Sequence, residues 1–471
     1  MKLYSKYTLF VLTAVLLLAS CKVSRDVALP EHTTPAQFQG ADSSQVSGIA
    51  SLSYTEIFNE PELLSLIDTA IKKNYDLQIA MKNMEAAGIL LKQQSFRNIP
   101  QLSLQVNANT SRPSDHSLNG VTMSQFIGSS HIEDYNLAAG LSWEADIWGK
   151  LSQQKNAAAA TYLQSAEARK AVQTRLVSQV ATIYYNLLML DTQLETARKN
   201  LALNTNTLRI IKMKFEAGQL TSLAVQQAAD QQLTASALIP NLEQQAALAE
   251  NALHVLTGRF PGKMNRINRL ENIPVDSSKV TGVPAEMLSL RPDVKQAELE
   301  LVKANAKAGY TKASMYPSLV LSANGGLNSF KASNWLNIPA SLFGNLAGGL
   351  TQPIFQRREL KTQYELALKD REAVVLKFRS TVLEAVAEVT DELVKTDKLQ
   401  QQYQLTAQRV GLARVALKNA DLLFNSGKAD YLEVINAQRN ALQSELELAS
   451  LKMARLQAHI GLYRALGGGW K

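Results

Sequence analysis

Two short stretches of the chain alternate strictly between apolar and polar side chains. In Leu102–Thr110, leucine, valine and alanine alternate with serine, glutamine and asparagine, and Tyr135–Trp143 alternates in a similar way. A period of two predicts β-strands that have one apolar and one polar face. Such segments, about ten residues long, fit either a barrel in an outer membrane or a half-buried hairpin on a soluble core. The alternation alone does not decide between the two.

The pattern along the chain indicates that one half repeats the other. An Ala-rich helical run begins near Asp76 and another begins near Asp293, which is 293 − 76 = 217 residues later. A turn ends at Gly218 and a similar one at Gly427, which is 427 − 218 = 209 residues later. A period this long excludes a short solenoid repeat, which recurs every ~20–50 residues. We place a first repeat at 51–270, with strands at about 100–112 and 134–146, and a second at 271–471, with strands at about 317–328 and 341–354.

Between these strands the apolar residues follow helical spacing over long runs. Residues 149–215 contain almost no helix breaker, and residues 357–424 repeat the pattern. About 65 residues at ~1.5 Å each make a rod of ~100 Å, which can bury its apolar stripe only by packing as a coiled coil. Gly218 and Gly427 are predicted turns at which the rods reverse, and Pro240 is expected to kink or divide the first returning helix.

The number of strands predicts that several chains assemble. Four strands cannot close a barrel, because even the smallest bacterial examples have about eight, and open sheet edges cannot face lipid. Beyond the N-terminal segment the chain has no run of about 18 apolar residues, so any membrane crossing would be made by strands. Two chains would supply eight strands and three would supply twelve, and only a wide barrel leaves a water-filled passage.

The N-terminus has the features of a targeting signal. Lys2 and Lys6 precede an apolar run over 7–19, which is too short for a comfortable membrane span, and Leu-Ala-Ser then leads to Cys21. This sequence resembles the lipobox of bacterial lipoproteins, in which the cysteine thiol takes the lipid. Cys21 is the only cysteine, so it cannot form an internal disulfide. We expect a signal peptide over 1–20 and a lipidated tether over 21–50, with an ordinary secretory signal as the alternative.

Composition and charge argue against several other classes of protein. The net charge of +8 is spread along the 471 residues without a basic cluster, so we expect no nucleic-acid partner. The five histidines are scattered, with none at metal-ligand spacing. Ser152 and Lys155 fit the S-x-x-K pattern of serine β-lactamases, but the companion motifs are absent. We expect no enzymatic activity, no catalytic or metal site, and no cofactor other than the lipid on Cys21.

Four longer motifs resemble one known family. They are Trp143–Lys150, Ile239–Glu243, Leu290–Val294 and Leu462–Trp470, and they are spread over most of the chain. Together they are similar to the corresponding stretches of TolC-type outer-membrane efflux factors, in the lipoprotein branch that serves tripartite drug-efflux pumps. One departure lies at Gln356–Glu359, where many relatives have a glycine-containing turn, so we expect a tighter junction between strand and helix.

The resemblance implies an α+β membrane protein that assembles as a homotrimer. Its four strands per chain would form a 12-stranded outer-membrane β-barrel, continuous with a long α-helical coiled-coil barrel in the periplasm of a Gram-negative bacterium. The resemblance also implies three kinds of partner, namely a periplasmic adaptor of the membrane-fusion type, an inner-membrane pump of the RND type, and the lipid of the outer membrane.

Two classes of function fit these features. The first is a passive exit duct that conducts small molecules, such as drugs, from an inner-membrane pump to the exterior. Metal-ion efflux and type I protein secretion remain alternatives within this class. The second class is a periplasmic coiled-coil lipoprotein that acts as a scaffold without a pore. The alternating strands favour the duct, because a scaffold has no need of lipid-facing Leu104 and Leu321.

The resemblance also implies where the duct closes. In the family the helical barrel narrows at its periplasmic tip, where acidic or polar side chains ring the pore. The matching positions after Gly427 are Asp430, Glu433 and Asn436. Three copies of Glu433 would repel one another and attract cations, which favours opening or cation-dependent closure, and Glu433→Ala is expected to raise the conductance. Alternatively, the acids simply suit the first turn of a helix because of its dipole.

The two reversal turns are the expected contacts for the adaptor. They comprise Phe215, Gly218 and Thr221 in the first copy and Phe424 and Gly427 in the second. The alternative is a plain helix reversal that needs glycine. The copies differ in charge, because acids follow only the second turn, and we therefore expect the gate at the second copy.

Overall fold

The computed structural model describes residues 53–126, 130–275, 288 and 291–470. Its helices are α1 Tyr54–Ile57, α2 Pro61–Lys73, α3 Tyr75–Phe96, α4 Leu118–Phe126, α5 Lys150–Glu216, α6 Ser222–Leu256, α7 Pro292–Ala313, α8 Glu359–Asn425 and α9 Tyr431–Ala465. Its strands are β1 Gln101–Ser111, β2 Ile132–Ala145, β3 Ser318–Ser329 and β4 Leu342–Thr351. The predicted signal peptide, Cys21 and the tether lie outside the described residues. Within those residues, no helix combines the length and the apolar character that crossing a membrane requires.

The order and the lengths of the helices repeat along the chain. α3 and α7 each contain 22 residues, α5 and α8 each contain 67, and α6 and α9 each contain 35. Tyr75 and Pro292, which begin α3 and α7, are 292 − 75 = 217 residues apart. Lys150 and Glu359, which begin α5 and α8, are 359 − 150 = 209 residues apart. The long rods and the returning helices are therefore present twice, with the spacing that the sequence indicates.

The described residues form two compact units, and each unit takes segments from both copies. One unit consists of Glu85–Leu163 and Leu299–Leu376, and the remaining described residues form the other. The units therefore cut across the two sequence repeats. The reason is that elements of one copy pair with elements of the other, as β2 pairs with β3.

The first unit contains a four-stranded antiparallel sheet in the order β1-β2-β3-β4. Leu102 of β1 lies opposite Leu141 of β2, and the residues 217 and 209 positions later, Leu319 of β3 and Leu350 of β4, also lie opposite each other. The two hairpins therefore have the same register. The central pairing joins the copies, and it places Leu141 of β2 opposite Ala323 of β3.

The junction between β4 and α8 is longer than expected. Seven residues separate β4 from α8, whereas four residues separate β2 from α5. The expectation of a tighter junction is therefore wrong. The strand stops before Pro353 because proline cannot donate a hydrogen bond to the sheet. The chain then turns through Arg357 and Arg358, whose φ angles of 51° and 63° lie in the left-handed region that Gly149 occupies in the first copy, with a φ of 73°.

The second unit is held together by apolar side chains that α5 presents to neighbouring helices. Tyr184 and Leu187 of α5 are buried in one cluster with Leu63 and Ile67 of α2 and Ile460 of α9. Full burial of a large apolar side chain contributes about 1.5–3 kcal/mol relative to leaving it in water. This cluster therefore fixes α2 and α9 against the same stretch of α5.

Pro240 lies inside α6 and does not divide it, because α6 runs as one helix from Ser222 to Leu256. The expected division is wrong for a reason that the packing supplies. Leu242 is buried in a cluster with Leu190 of α5, and Leu238 borders the same cluster. Packing on both sides of the proline offsets the one backbone hydrogen bond that the ring removes.

Arg291 has a structural role that accounts for its place in the Leu290–Val294 motif. Its guanidinium donates to Asp293 at 2.8 Å, to Glu388 of α8 at 2.6 Å, and to the carbonyl of Ala465 at the end of α9. Burial opposes the charge, but the two carboxylates hold the pKa of the guanidinium above its usual value. This arginine therefore ties the start of α7 to α8 and to the end of α9.

Candidate functional site

One face of the sheet is apolar from edge to edge. Residues directly opposite each other in an antiparallel sheet share a face, and the observed register brings the apolar positions of all four strands together. The apolar face consists of Leu102, Leu104, Val106 and Ala108 of β1, Tyr135, Leu137, Ala139, Leu141 and Trp143 of β2, Leu319, Leu321, Ala323, Gly325 and Leu327 of β3, and Leu342, Gly344, Leu346, Gly348 and Leu350 of β4. Among the described strands, the one charged residue on this face is Glu133 of β2, which lies opposite Thr110 at one end of the strands. A contiguous apolar surface of this extent indicates contact with lipid or with another protein.

The opposite face of the sheet is mainly polar. Its polar members include Ser103, Gln105, Asn107 and Asn109 of β1, Asn136 and Ser142 of β2, Ser322, Asn324 and Asn328 of β3, and Asn345 and Thr351 of β4. Hydroxyl and amide side chains predominate on this face, and they are compatible with contact with water. The two faces of the sheet therefore differ in polarity, as the alternation in the sequence predicts.

β1 and β4 form the two edges of this sheet. Every residue of β1 is exposed, and so is every residue of β4 except Phe343. Among the described strands, none pairs with the outer side of β1 or β4. Their outward N–H and C=O groups are therefore a template for another strand.

α5 and α8 end in the same kind of turn. Gly218 and Gly427 have φ angles of 71° and 73°, in the left-handed region that favours glycine. The Gly218 amide donates to the Phe215 carbonyl at 2.9 Å, and the Gly427 amide donates to the Phe424 carbonyl at 3.1 Å. The next amide in each turn donates to the carbonyl five residues earlier, which completes a Schellman motif. Both helix reversals that the sequence predicts are therefore present.

The helices that follow these turns begin differently. Asp430 caps α9, because its carboxylate accepts a hydrogen bond from the Tyr431 amide at 2.6 Å. Thr221 makes no such bond to α6. Glu433 and Asn436 lie exposed near the start of α9. The three candidate aperture residues therefore lie within one short segment and all have exposed side chains, and Glu433 also suits the positive end of the helix dipole.

The two turns pack against each other through a shared apolar cluster. Phe424 is 3% exposed and lies in this cluster with Leu208 of α5 and Val434 of α9. The Lys214 ammonium donates to the Phe424 carbonyl at 3.0 Å and lies 4.0 Å from the centroid of its ring, a cation–π contact. Phe215, which holds the equivalent position in the first copy, is 43% exposed. The two turns therefore have the same backbone conformation, but the phenylalanine of the second turn is buried and that of the first is exposed.

Two further hydrogen bonds join the copies near these turns. The Tyr431 phenol donates to the Gln227 amide oxygen at 2.6 Å, and the Gln438 amide donates to the Thr207 hydroxyl at 2.8 Å. The partners are 204 and 231 residues apart in the chain. Sequence reasoning missed these residues, because no local pattern marks contacts between such distant positions.

The structure places the two turns beside each other, because α5 and α6 contact α9 next to both turns. Of the predicted tip residues, only Phe424 is buried in the shared cluster. The aperture candidates on α9 begin at this region. Cys21, the predicted site of lipidation, lies outside the described residues.

The structure also bears on the S-x-x-K pattern at Ser152 and on metal binding. The Ser152 hydroxyl donates to the Asp146 carboxylate at 2.6 Å, and that carboxylate also accepts hydrogen bonds from the Leu151 and Ser152 amides. Ser152 therefore belongs to the cap of α5. Over residues 53–126, 130–275, 288 and 291–470, no group of three or more histidine, cysteine, aspartate or glutamate side chains could hold a metal ion.

Comparison with known proteins gives one family and several relatives. The family model described as outer membrane efflux protein matches residues 66–259 and 283–468. The chain is 28% identical to the solvent efflux pump outer membrane protein SrpC of Pseudomonas putida over 470 residues, which cover 97% of each chain. It is 26% identical to the cation efflux system protein CusC of Escherichia coli over 460 residues, which also cover 97% of each chain.

A lipoprotein and a solved structure extend the comparison. The chain is 27% identical to the probable outer membrane lipoprotein SilC of Salmonella typhimurium over 471 residues, which cover 99% of each chain. A crystal structure of CusC, described together with its transmembrane channel formation, aligns with a TM-score of 0.84 and 25% identity. The alignment covers 95% of this chain and 100% of that one, so the two folds agree over almost their whole length.

Proposed function

Because the chain belongs to the outer membrane efflux protein family, we propose that it is the exit duct of a tripartite efflux system. A location in the outer membrane and a general role in efflux follow from the family, which comprises channels and not enzymes. In this proposal the duct passively conducts small molecules, drugs among them, to the exterior. They reach it from an inner-membrane pump of the RND type through a periplasmic adaptor.

The sheet with one apolar face and two unpaired edges is the observation that carries this proposal. Backbone polar groups need partners in a bilayer, so open strand edges are excluded from lipid. Three copies, each joining its β4 to β1 of the next, would close a 12-stranded barrel. The apolar face would meet the outer-membrane lipid, and the polar face would line a water-filled passage. We therefore propose a homotrimer.

The long helices extend this duct into the periplasm in the proposed assembly. α5, α6, α8 and α9 of three subunits would form a helical barrel whose narrow end lies at the two turns. The aperture would be ringed by Asp430, Glu433 and Asn436, which are exposed in the single subunit. The adaptor would contact the turns at Phe215, Gly218, Thr221, Phe424 and Gly427.

The N-terminal part of the proposal concerns the lipid anchor. We assign 1–20 to a signal peptide, Cys21 to lipidation and 21–50 to a tether, followed by the two repeats at 51–270 and 271–471. Similarity to SilC, which is named as an outer membrane lipoprotein, supports this assignment. The lipid would hold each subunit at the membrane surface, in addition to its strands.

Deletion of the gene tests the proposed cargo. We expect the deletion strain to become sensitive to drugs, organic solvents and bile salts, and a plasmid with the wild-type gene to restore resistance. Sensitivity confined to cation salts would instead favour metal-ion efflux, the alternative that similarity to CusC supports. A strain with unchanged sensitivity to every compound, in which the protein is normally expressed, would contradict the role of exit duct.

A further inference from the structure

An open cavity of about 1120 Å³ lies against the long helices of the second unit, and its lining comes from α5, α6, α8 and α9. Arg175, Gln179 and Thr182 line it from one face of α5. Val180 and Tyr184 lie on the opposite face of α5, where they are buried in the cluster that α2 also joins. Cavities that bind small ligands usually measure about 300–1,000 Å³, so this one has room for a drug-sized molecule.

The cavity lies on the concave side of the long helices. Four helices surround it on this side, whereas α2 packs on the other side of α5 through Leu63 and Ile67. Helices that close into a barrel turn their concave side toward the channel axis. In the proposed duct the cavity therefore opens into the lumen, through which the cargo passes.

The duplication gives the cavity one apolar side and one basic side. Val255 of α6 and Arg464 of α9 are 464 − 255 = 209 residues apart, which is the spacing between the copies, and both line the cavity. Val255 is 65% exposed, and Ile183 and Leu256 join it on the apolar side. Equivalent positions of the two copies therefore supply an apolar wall and a cation to the same cavity.

Three of the four cations that line the cavity, counted over the described residues, already have carboxylate partners. The pairs are Lys395 with Glu392 and Lys398 with Asp397, each at 2.8 Å, and Arg464 with Glu388. Arg175 is the fourth cation, and it is exposed and forms no ion pair within the part of the chain that the structure describes. With these partners included, the described residues leave the cavity with a net charge of 4 − 3 = +1.

Glu392, the carboxylate in this lining, is held away from a ligand. It is 9% exposed, and a Cβ atom on Gly461 of α9 would come within 2.7 Å of its Oε2 atom, so its carboxylate lies directly against the α9 backbone. Its Oε1 atom accepts a hydrogen bond from the Lys395 ammonium. This bond raises the pKa of Lys395, although the positive charge of Arg464 opposes the rise. The acidic group that could repel an anion is therefore buried and ion-paired.

We propose that this cavity is a binding site for an amphipathic organic anion that carries one negative group. The inference deepens the proposed function, on which it rests for the position of the cavity in the lumen. The anionic group lies on the Arg175 guanidinium, whose paired N–H donors suit a carboxylate or a sulfonate. The apolar part lies on Ile183, Val255 and Leu256.

The spacing along α5 sets the length of the ligand. Arg175 and Ile183 are eight residues apart, which corresponds to about 12 Å along the helix axis. A ligand that reaches from the cation to the apolar wall therefore needs a long hydrocarbon chain or a ring system of similar length. A short anion contacts Arg175 alone and gains nothing from the apolar side.

Three simple amphiphiles test the charge and the length of the ligand. 1-Decanesulfonate and decyltrimethylammonium have the same ten-carbon chain and opposite charges, and 1-hexanesulfonate has a chain four carbons shorter. Each is titrated below its critical micelle concentration into the purified protein in lipid nanodiscs, by calorimetry, with empty nanodiscs as the blank. We expect decanesulfonate to bind at about one per subunit, and the other two to bind about tenfold or more weakly. Equal affinities for the two ten-carbon probes would overturn the preference for an anion.

Variants of Arg175 test the position of the anionic group. Arg175→Gln should lower the affinity for decanesulfonate by about fivefold, leave that for decyltrimethylammonium unchanged, and be rescued by Arg175→Lys. The matched control is Arg198→Gln, which removes a cation that pairs with Glu243 and does not line the cavity, and it should bind both probes like the wild type. An unchanged affinity of Arg175→Gln for decanesulfonate, or an equal loss for both probes, would refute the assignment. The comparison of the probes on the wild-type protein decides the charge preference without any variant.

Block of the channel current tests whether the cavity faces the lumen. In planar bilayers, decanesulfonate should produce brief blocks of the wild-type current, and their mean duration should fall about fivefold in Arg175→Gln. Absence of blocks by a probe that binds in nanodiscs would place the cavity outside the conducting path.

The binding and conductance measurements separate this inference from the proposed function. Discrete conductance steps from a protein that binds the two ten-carbon probes equally would overturn the anion site and leave the duct intact. Binding in nanodiscs does not require conduction, so charge-selective binding by a protein that gives no conductance steps would overturn the duct and confirm the anion site on the subunit.

Discussion

An arginine at position 346 tests whether the apolar face of the sheet meets lipid. Leu346 lies within β4, opposite Ala323, and its side chain is 82% exposed in the single subunit. If that face were in water, Leu346→Arg would change the free energy of unfolding by no more than about 0.5 kcal/mol. On the lipid-facing side of a barrel, an arginine near the midplane costs about 2–4 kcal/mol.

The two environments predict clearly different folding equilibria. A cost of about 2–4 kcal/mol per subunit shifts the equilibrium by about thirtyfold to several-hundred-fold, since every 1.4 kcal/mol is about tenfold. Three copies in the proposed barrel raise the cost to about 6–12 kcal/mol per assembly. The matched control is Asn345→Arg, which adds the same side chain to the adjacent position on the polar face and should cost no more than about 0.5 kcal/mol.

The assay is urea-induced unfolding of the protein in lipid vesicles, followed by tryptophan fluorescence. We expect a lower unfolding midpoint for Leu346→Arg than for Asn345→Arg, with an unchanged dependence of the free energy on urea. Equal, small shifts of the midpoint in the two variants would refute a lipid-facing role for this side of the sheet.

Three further changes test other parts of the molecule. Phe424→Ala removes a buried ring, at a cost of about 3–5 kcal/mol, so hydrogen exchange of the adjoining turn should accelerate by about a hundredfold or more. Phe215→Ala should have a smaller effect, and equal acceleration would contradict the packing. Glu433→Gln should lower the preference for cations over anions, measured as a reversal potential, and an unchanged potential would exclude Glu433 from the aperture. Cys21→Ser should abolish incorporation of labelled palmitate, whereas retained label would place the lipid elsewhere.

The parts of the fold that depend on local periodicity could be predicted from the sequence. Alternation of apolar and polar residues in Leu102–Thr110 indicates a strand with one apolar and one polar face, and the structure places β1 at Gln101–Ser111. Glycine at 218 and 427 indicates a turn with a left-handed residue, because other residues adopt that conformation only at a cost in free energy. These signals belong to single residues or to short windows.

The contacts between the copies could not be predicted in this way. The hydrogen bond between Gln438 and Thr207 joins positions 231 residues apart, and nothing near either residue marks its partner. The continuity of α6 through Pro240 depends on packing against α5, which overrides a local preference for a break. The length of the junction before α8 likewise depends on two arginines in left-handed conformations, for which the sequence offers no glycine signal.

Electrical recording in planar lipid bilayers tests most directly whether this chain alone builds a conduit through a membrane. Purified wild-type protein that has the mass of a trimer in detergent should produce discrete conductance steps. The same trimer with no steps above the background of the bilayer would contradict an exit duct formed by this chain.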